Sequence, residues 1–296
     1  METTRRAVAT GLASLGVAAA APRESRIDPT NELVAPAERP RRIVSLNPCL
    51  DVILVHVADR SQIAALSHYS RDADSSSIAE LARTFPITHA TAEEIVALSP
   101  DMVLSGRHSA PATRSTLRRL GVRAELFGVP ATIDQSLEQV RWMARLVHHP
   151  DRGEALARRI EAAIAAAAPP PGERPLSALV FQSNGFASAP GTLVDEMLTR
   201  TGFENAAARY GLKMTSNVPL ERVLADPPDV LLAGVIRRDE PNWADRVVAH
   251  PALKSVAHRM HRAVFPRRLM NCGGPVLIET AQVLAQARQD ARRRRT

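Results

Sequence analysis

Residues 93–106 read EEIVALSPDMVLSG, and residues 221–234 read ERVLADPPDVLLAG. The two segments carry glutamate, alanine, proline, aspartate, leucine and glycine at the same spacing. In each, apolar residues at helical spacing predict a short helix, the proline ends it, and the apolar run before the glycine predicts a buried strand. Because this helix-to-strand unit occurs twice, about 130 residues apart, we expect two similar α/β lobes with a ligand cleft between them.

A long helical stretch separates the two copies. Residues 133–168 are rich in alanine, glutamate and arginine, with one break at residues 148–151. This composition favours a rigid strut over a flexible linker. We therefore predict an α/β fold of two Rossmann-like lobes, residues 41–147 and 175–290, joined by a single long helix at residues 150–168.

The bulk composition is that of a globular protein. The chain has 296 residues, of which 45% are hydrophobic and 3% aromatic. Its formal net charge of +7 would suit a nucleic-acid partner. However, the cations are almost all arginines scattered among acids, with one dense run at residues 292–295, and no nucleic-acid motif accompanies them. We predict no nucleic-acid partner.

The N-terminal segment has the layout of an export signal. A short basic stretch, residues 1–6, precedes small apolar residues up to Ala21, with alanine cleavage sites before Pro22. We predict that residues 1–21 are a secretory signal; Arg5-Arg6 also suits twin-arginine export, and the sequence leaves both routes open. The alternative is an alanine-rich start of a cytoplasmic protein. No other segment is long and apolar enough to span a bilayer, so we expect a soluble protein in the periplasm.

The order of the segments resembles the substrate-binding proteins of bacterial ABC importers for vitamin B12, iron-siderophores and haem. The resemblance covers residues 41–287 and is carried by RIVSL at 42–46, TAEEIVALSPD at 91–101, GTLVDE at 191–196 and GFENA at 202–206. It implies two lobes with little hinge motion and a ligand, here a metal chelate, bound between them. It also implies a monomer with no catalytic activity and no resident cofactor or metal.

The resemblance gives the repeated glutamates a role. Glu93 and Glu221 match the positions at which an acid on each lobe meets arginines of the ABC permease dimer at the inner membrane. Two separated carboxylates would fix orientation on a positively charged partner. The alternative is that each glutamate only favours the first turn of its own helix.

Two cysteines depart from the family pattern. Cys49 follows the first strand and Cys272 precedes the last helix, so both lie in loops on the cleft side. In an exported protein they suit a disulfide. Free thiols packed as small apolar residues, and thiolates that hold a soft metal such as Cu(I), are the alternatives that the sequence leaves open.

Other polar and aromatic residues follow the predicted strands toward the cleft. His68 and Tyr69 are residue types that ligate haem in some relatives, which keeps a haem receptor open as an alternative. Arginines there suit anionic groups on a chelate, although some belong to the ordinary surface of an arginine-rich chain. The candidate ligand-binding residues are Asn47, Cys49, His68, Tyr69, Arg107, His108, Gln182, Asn184, Phe186, Arg237, Trp243, Arg267 and Cys272.

The sequence carries no nucleophile elbow, phosphate-binding loop, dinucleotide fingerprint or metalloprotease motif. A Cys49 nucleophile with His68 as its base remains the enzymatic alternative. An accessory protein whose cleft is filled by side chains is a third possibility. We favour a non-enzymatic periplasmic receptor for cobalamin or an iron-siderophore.

Overall fold

The computed structural model describes residues 38–107, 115, 117, 119, 121–182, 185–234, 251, 253, 256 and 258–294. These residues belong to one unit, Ala35–Thr296. The predicted signal segment, residues 1–21, lies outside the described residues.

The first lobe is built on a five-stranded sheet in the order β3-β2-β1-β4-β5, in which all neighbours are parallel. Its strands are β1 Ile43–Ser45, β2 Ile63–Ser67, β3 Ile87–Thr88, β4 Met102–Gly106 and β5 Ala124–Phe127. The central strands are continuous apolar runs because a parallel sheet is covered on both faces. Since all strands run the same way, their carboxyl ends meet at one edge of the sheet.

The second lobe has a six-stranded sheet in which β11, β10 and β6 are parallel neighbours. The start of β6 also pairs with β8 in parallel, whereas its end pairs with β7 in antiparallel fashion, and β7 pairs with β9. The strands are β6 Leu176–Phe181, β7 Phe186–Ala187, β8 Phe203–Asn205, β9 Ser216–Asn217, β10 Val230–Ala233 and β11 His261–Val264.

The helices bounded within the described residues are α1 Pro48–Val57, α2 Ala79–Ala82, α3 Ala92–Leu98, α4 Ile133–Leu146, α5 Pro150–Ala166, α6 Leu193–Arg200, α7 Leu220–Ala225 and α8 Val276–Arg293. Most of them, from both lobes, pack into one apolar core, whereas α3 and α7 pack in separate clusters. The largest cluster of buried side chains joins Leu54 of α1 and Val140 of α4 to Ile160 of α5, Leu198 of α6 and Leu284 of α8. The two sheets are therefore packed around a shared core rather than connected by a bare linker.

The repeated segment forms the same structure in both lobes: α3 leads into β4, and α7 leads into β10. The aspartate of the repeated segment has the same structural role in both lobes. Asp101 accepts hydrogen bonds from the backbone N–H groups of Arg41 and Arg42, at 2.6 and 3.0 Å, just before β1. Asp229 accepts from the backbone N–H of Ser177 at 2.7 Å, in β6. Each aspartate thus fixes the start of the central strand of its lobe.

Arg288 of α8 closes the carboxyl end of α5. Its side chain is almost fully buried and donates hydrogen bonds to the carbonyl oxygens of Ala167, Ala168 and Thr201. It also lies 3.6 Å from a carboxylate oxygen of Glu173. The last carbonyls of a helix have no hydrogen-bond donor within the helix. The Arg288 guanidinium supplies such donors, and a positive charge, at the carboxyl end of α5.

The predicted α/β fold of two Rossmann-like lobes joined by one long helix is confirmed. Helix α1 begins at Pro48, since proline is favoured in a first turn. The connecting helix α5 ends at Ala166, two residues before the predicted limit of 168. The lobe limits at 41–147 and 175–290 stay predictions.

Candidate functional site

A pocket of about 280 Å³ lies at the carboxyl edge of the first sheet, between β1 and β4. The strand order reverses between these two strands, and ligands of open α/β sheets bind at such a switch point. The second lobe closes the pocket from the opposite side. Polar and junction residues that line it are Asn47, Cys49, Arg107, Gln139, Asn271 and Gly273.

The amino end of α1 gives this pocket a positive character. Asn47 caps the helix, because its side-chain oxygen accepts a hydrogen bond from the backbone N–H of Cys49 at 2.8 Å. The helix terminus carries partial positive charge, and Arg107 adds a full one. No acidic side chain lines the described part of the pocket. The site therefore favours ligand groups that are anionic or accept hydrogen bonds.

A loop of the second lobe, residues 271–274, packs tightly against the first lobe. The backbone N–H of Gly274 donates to the Ser136 hydroxyl of α4 at 2.6 Å. Gly274 has a φ of +67°, and a Cβ there would lie 2.8 Å from Ile53 of α1. Gly273 is equally confined, since a Cβ would clash with Ser136. Glycine is required at both positions because the backbone approaches α1 and α4 directly.

The same loop is tied to α1 by a disulfide between Cys49 and Cys272, whose Cα atoms are 5.0 Å apart. Of the three states that the sequence allowed, the bonded one is present, so the free-thiol and Cu(I)-thiolate alternatives are wrong for this structure. In this bonded state Cys49 does not offer the thiolate that the enzymatic alternative requires. Cys272 is buried, and Cys49 alone of the pair lines the pocket.

His68 and Tyr69 lie at the carboxyl end of β2, in the 3-10 turn His68–Arg71. Tyr69 is 56% exposed. The ring of His68 lies against the Tyr69 ring, with centroids 3.9 Å apart, and is stacked on the ring of His89 at 4.5 Å. The pair does not line the 280 Å³ pocket, but it stands on the same edge of the sheet.

Asp51 fastens this turn to α1. It is fully buried, and its Oδ2 accepts hydrogen bonds from the backbone N–H of Ser67 at 2.9 Å and from the Ser70 hydroxyl at 2.6 Å. Burial raises the pKa of the Asp51 carboxyl to about 7, against the lowering effect of the neighbouring hydroxyls and of the Ser67 amide. One carboxyl thus contacts both flanks of His68 and Tyr69.

Three predicted ligand residues of the described second lobe lie outside the pocket. Gln182 follows β6 and its backbone N–H donates to the Phe186 carbonyl oxygen at 2.7 Å. Phe186 itself is 41% exposed on β7. Arg267 opens the turn Arg267–Leu269 and is exposed. The remaining candidates, His108, Asn184, Arg237 and Trp243, lie outside the described residues.

A larger groove of about 640 Å³ is lined by Val52 and His56 of α1, by residues 73–81 and by the start of α8. None of the predicted ligand residues lines it. Its charged side chains are mixed in sign, and Arg268 is already paired with Glu279. We place the ligand site in the smaller pocket, because the strand ends and the switch point converge there.

The junction residues were missed from the sequence. Asn271, Gly273 and Gln139 line the pocket, yet none was a candidate. The adjacent glycines at 273 and 274 were a usable signal, because paired glycines mark a close backbone approach. The link of Asp51 to the 68–71 turn depends on tertiary contact and has no local sequence signal.

The two repeated glutamates are exposed in the first turns of α3 and α7. The two helices cover the sheet faces that lie away from the shared core. Ile95 of α3 packs in a cluster with Val103, and Val223 of α7 packs in a cluster with Leu231. The two acids thus occupy equivalent places in the two lobes.

Comparison with known proteins gives one family. The family described as a periplasmic binding protein matches residues 43–261. A curated relative, the cobalamin-binding protein of Halobacterium salinarum, is 24% identical over 214 residues, which is 70% of this chain. The aligned region spans 58% of that relative's own length.

Solved structures share the fold. The periplasmic heme-binding protein RhuT from Roseiflexus sp. RS-1, in apo form, is 25% identical with a TM-score of 0.68, covering 85% of this chain and 98% of that one. The periplasmic vitamin B12 binding protein BtuF of Vibrio cholerae is 18% identical with a TM-score of 0.63, covering 86% and 98%. Within the described part of this chain, no helix has the length and hydrophobicity needed to cross a bilayer.

Proposed function

The chain belongs to the periplasmic binding protein family, and we propose that it captures a metal chelate, cobalamin or an iron-siderophore, for an ABC importer. The observation that carries this proposal is the pocket at the β1–β4 switch point, which the second lobe closes with residues 271–273. A receptor needs a cleft between two lobes, and this fold supplies one. In this proposal the protein acts in the periplasm as a monomer.

The chemistry of the cleft supports a large, partly anionic ligand. The helix terminus capped by Asn47 and the guanidinium of Arg107 attract carboxylates, phosphates or amide oxygens, all of which occur on such chelates. Val129 lines the pocket, is apolar and 73% exposed, and offers packing surface to a macrocycle. Cys49 is held in the disulfide and offers no thiolate, so we propose binding without turnover.

Haem is the second candidate, and a specific observation favours it. Tyr69 is an exposed phenol whose ring rests on His68, which is itself stacked on His89. Tyrosine and histidine are axial ligands of haem iron. The curated relative is named for cobalamin and a similar solved structure for heme, so these two tetrapyrrole-type chelates are the first to compare.

We propose that Glu93 and Glu221 dock the protein on its permease. The double variant Glu93→Lys/Glu221→Lys is expected to lower chelate uptake by cells at least about tenfold, because it places like charges against a cationic partner. Chelate affinity of the purified variant should not change, since both side chains are exposed and neither lines the pocket. Uptake of labelled chelate and binding of the same chelate are the two measurements.

The matched control is Glu138→Lys/Glu204→Lys, which changes charge by the same amount at two other exposed acids. Uptake should stay at the wild-type level in this control. Equal uptake in the docking variant and the wild type would contradict the docking role.

A further inference from the structure

The buried carboxyl of Asp51 joins α1, whose first turn borders the pocket, to the exposed turn His68–Arg71. On one side it belongs to α1, whose first turn carries the disulfide-bonded Cys49. On the other side its Oδ2 holds Ser67 and Ser70, which flank His68 and Tyr69. A change at this one oxygen acts on both ends of the exposed turn.

The other oxygen of the carboxyl is unsatisfied. Oδ1 is buried and has no hydrogen-bond partner among the described residues. The Ser45 hydroxyl adjoins the carboxyl but donates to the Asn47 carbonyl oxygen at 3.4 Å. A buried anion with one bare oxygen is costly, and a proton on Oδ1 would remove the charge. The structure therefore holds a carboxyl that can be either charged or neutral near neutral pH.

The charged and titratable side chains on the elements around Asp51 are bonded elsewhere or exposed. The turn carries His68, Tyr69 and Arg71, and the Arg71 guanidinium is bonded to the carbonyl oxygens of Ala82 and Phe85. On α1 the other titratable side chain is His56, whose Nδ1 contacts the Val52 carbonyl oxygen. Strands β1 and β2 present only serines, and Glu80 of α2, which packs on the turn, is exposed. Both direct donors to the carboxyl are neutral.

We propose that Asp51 is a positioning residue whose carboxyl holds the His68–Tyr69 turn against α1, and that its ionisation loosens this turn and weakens ligand retention. Burial disfavours the charged carboxylate, whereas an opening of the turn that lets water reach Asp51 favours it. The closed turn, in which the carboxyl is buried, is therefore more stable at pH 6 than at pH 8. The inference deepens the proposed function, on which its ligand part rests.

The test measures hydrogen exchange of the amides of residues 67–71 in the full chain, corrected for the intrinsic rate at each pH. In the wild type, protection of this turn should rise about tenfold from pH 8 to pH 6. In Asp51→Asn, which keeps the shape without the charge, protection should not change over this range. The two proteins share every other side chain, so the difference between them belongs to Asp51.

Two further variants test whether the pH dependence belongs to Asp51. Ser70→Ala removes one of the two donors and should lower protection at pH 8 while a pH dependence remains. Asp59→Asn is the matched control: hydrogen bonding to Arg152 lowers the pKa of Asp59 to about 2, so it does not titrate between pH 6 and pH 8. In Asp59→Asn, the protection of residues 67–71 should change with pH as it does in the wild type. Constant protection in the wild type, or the same rise in Asp51→Asn, would overturn the proposal.

Binding supplies the ligand part of the test. Where hemin or cyanocobalamin binds, its Kd should fall by a similar factor from pH 8 to pH 6 in the wild type and change less in Asp51→Asn. Where neither binds, the receptor proposal loses support, whereas hydrogen exchange still decides the role of Asp51. An equal change of Kd in both proteins contradicts the link from Asp51 to the ligand.

Discussion

Replacing Cys49 by serine together with Cys272 by alanine is expected to lower the free energy of unfolding by about 5 kcal/mol. The reason is the length of chain that the bridge closes, since the two cysteines are 223 residues apart. Opening the bridge returns that conformational freedom to the unfolded chain. Alanine is chosen at position 272 because the site is buried and a serine hydroxyl would lack a partner.

Urea denaturation of the oxidised wild type and of the double variant measures this difference. The reduced wild type is the control and should match the variant, because it loses the same bridge without a change of sequence. The variant should remain folded in the absence of urea, since both lobes share the apolar core along α5. A difference below about 1 kcal/mol would show that the bridge adds little constraint beyond the core.

Arg288→Met is expected to lower the free energy of unfolding by about 3 kcal/mol. The substitution keeps much of the volume but removes the donors to the carbonyl oxygens of Ala167, Ala168 and Thr201. Buried acceptors without partners retain their desolvation cost in the folded state. The end of α5, on which both lobes pack, is then uncapped.

Arg292→Met, one turn further along α8, is the matched control. Arg292 also pairs with Glu173, but 34% of its side chain is exposed, compared with 6% for Arg288. Its loss should cost less than about 1 kcal/mol, as is usual for an exposed pair. Equal losses in the two variants, measured by urea denaturation, would contradict the capping role of Arg288.

The repeated segments predicted the fold well because their signals are local. Helical spacing, a terminating proline and a short apolar run lie within 14 residues in each copy, and α3–β4 and α7–β10 follow from them. The repeated aspartate was visible as a match, but its role was not. Asp101 and Asp229 bind backbone groups of strands far away in the chain.

The ligand site was only partly predictable for the same reason. Asn47, Cys49 and Arg107 were found because they follow strands β1 and β4, and parallel strands end at one edge. The contact of Gly274 with Ser136 joins residues 138 positions apart, and no local pattern reports such a pair. Likewise, the bond between Asp51 and Ser70 depends on how α1 lies against β2.

The most direct test of the receptor proposal is native mass spectrometry with absorption titration of the full chain against hemin, cyanocobalamin and ferric siderophores. We expect one class of chelate to bind at one molecule per chain with saturation at micromolar concentration or below. If the ligand is hemin, Tyr69→Phe should alter its absorption spectrum and weaken binding at least tenfold. If none of the three classes binds at micromolar concentration, the proposal that this cleft captures a metal chelate is contradicted.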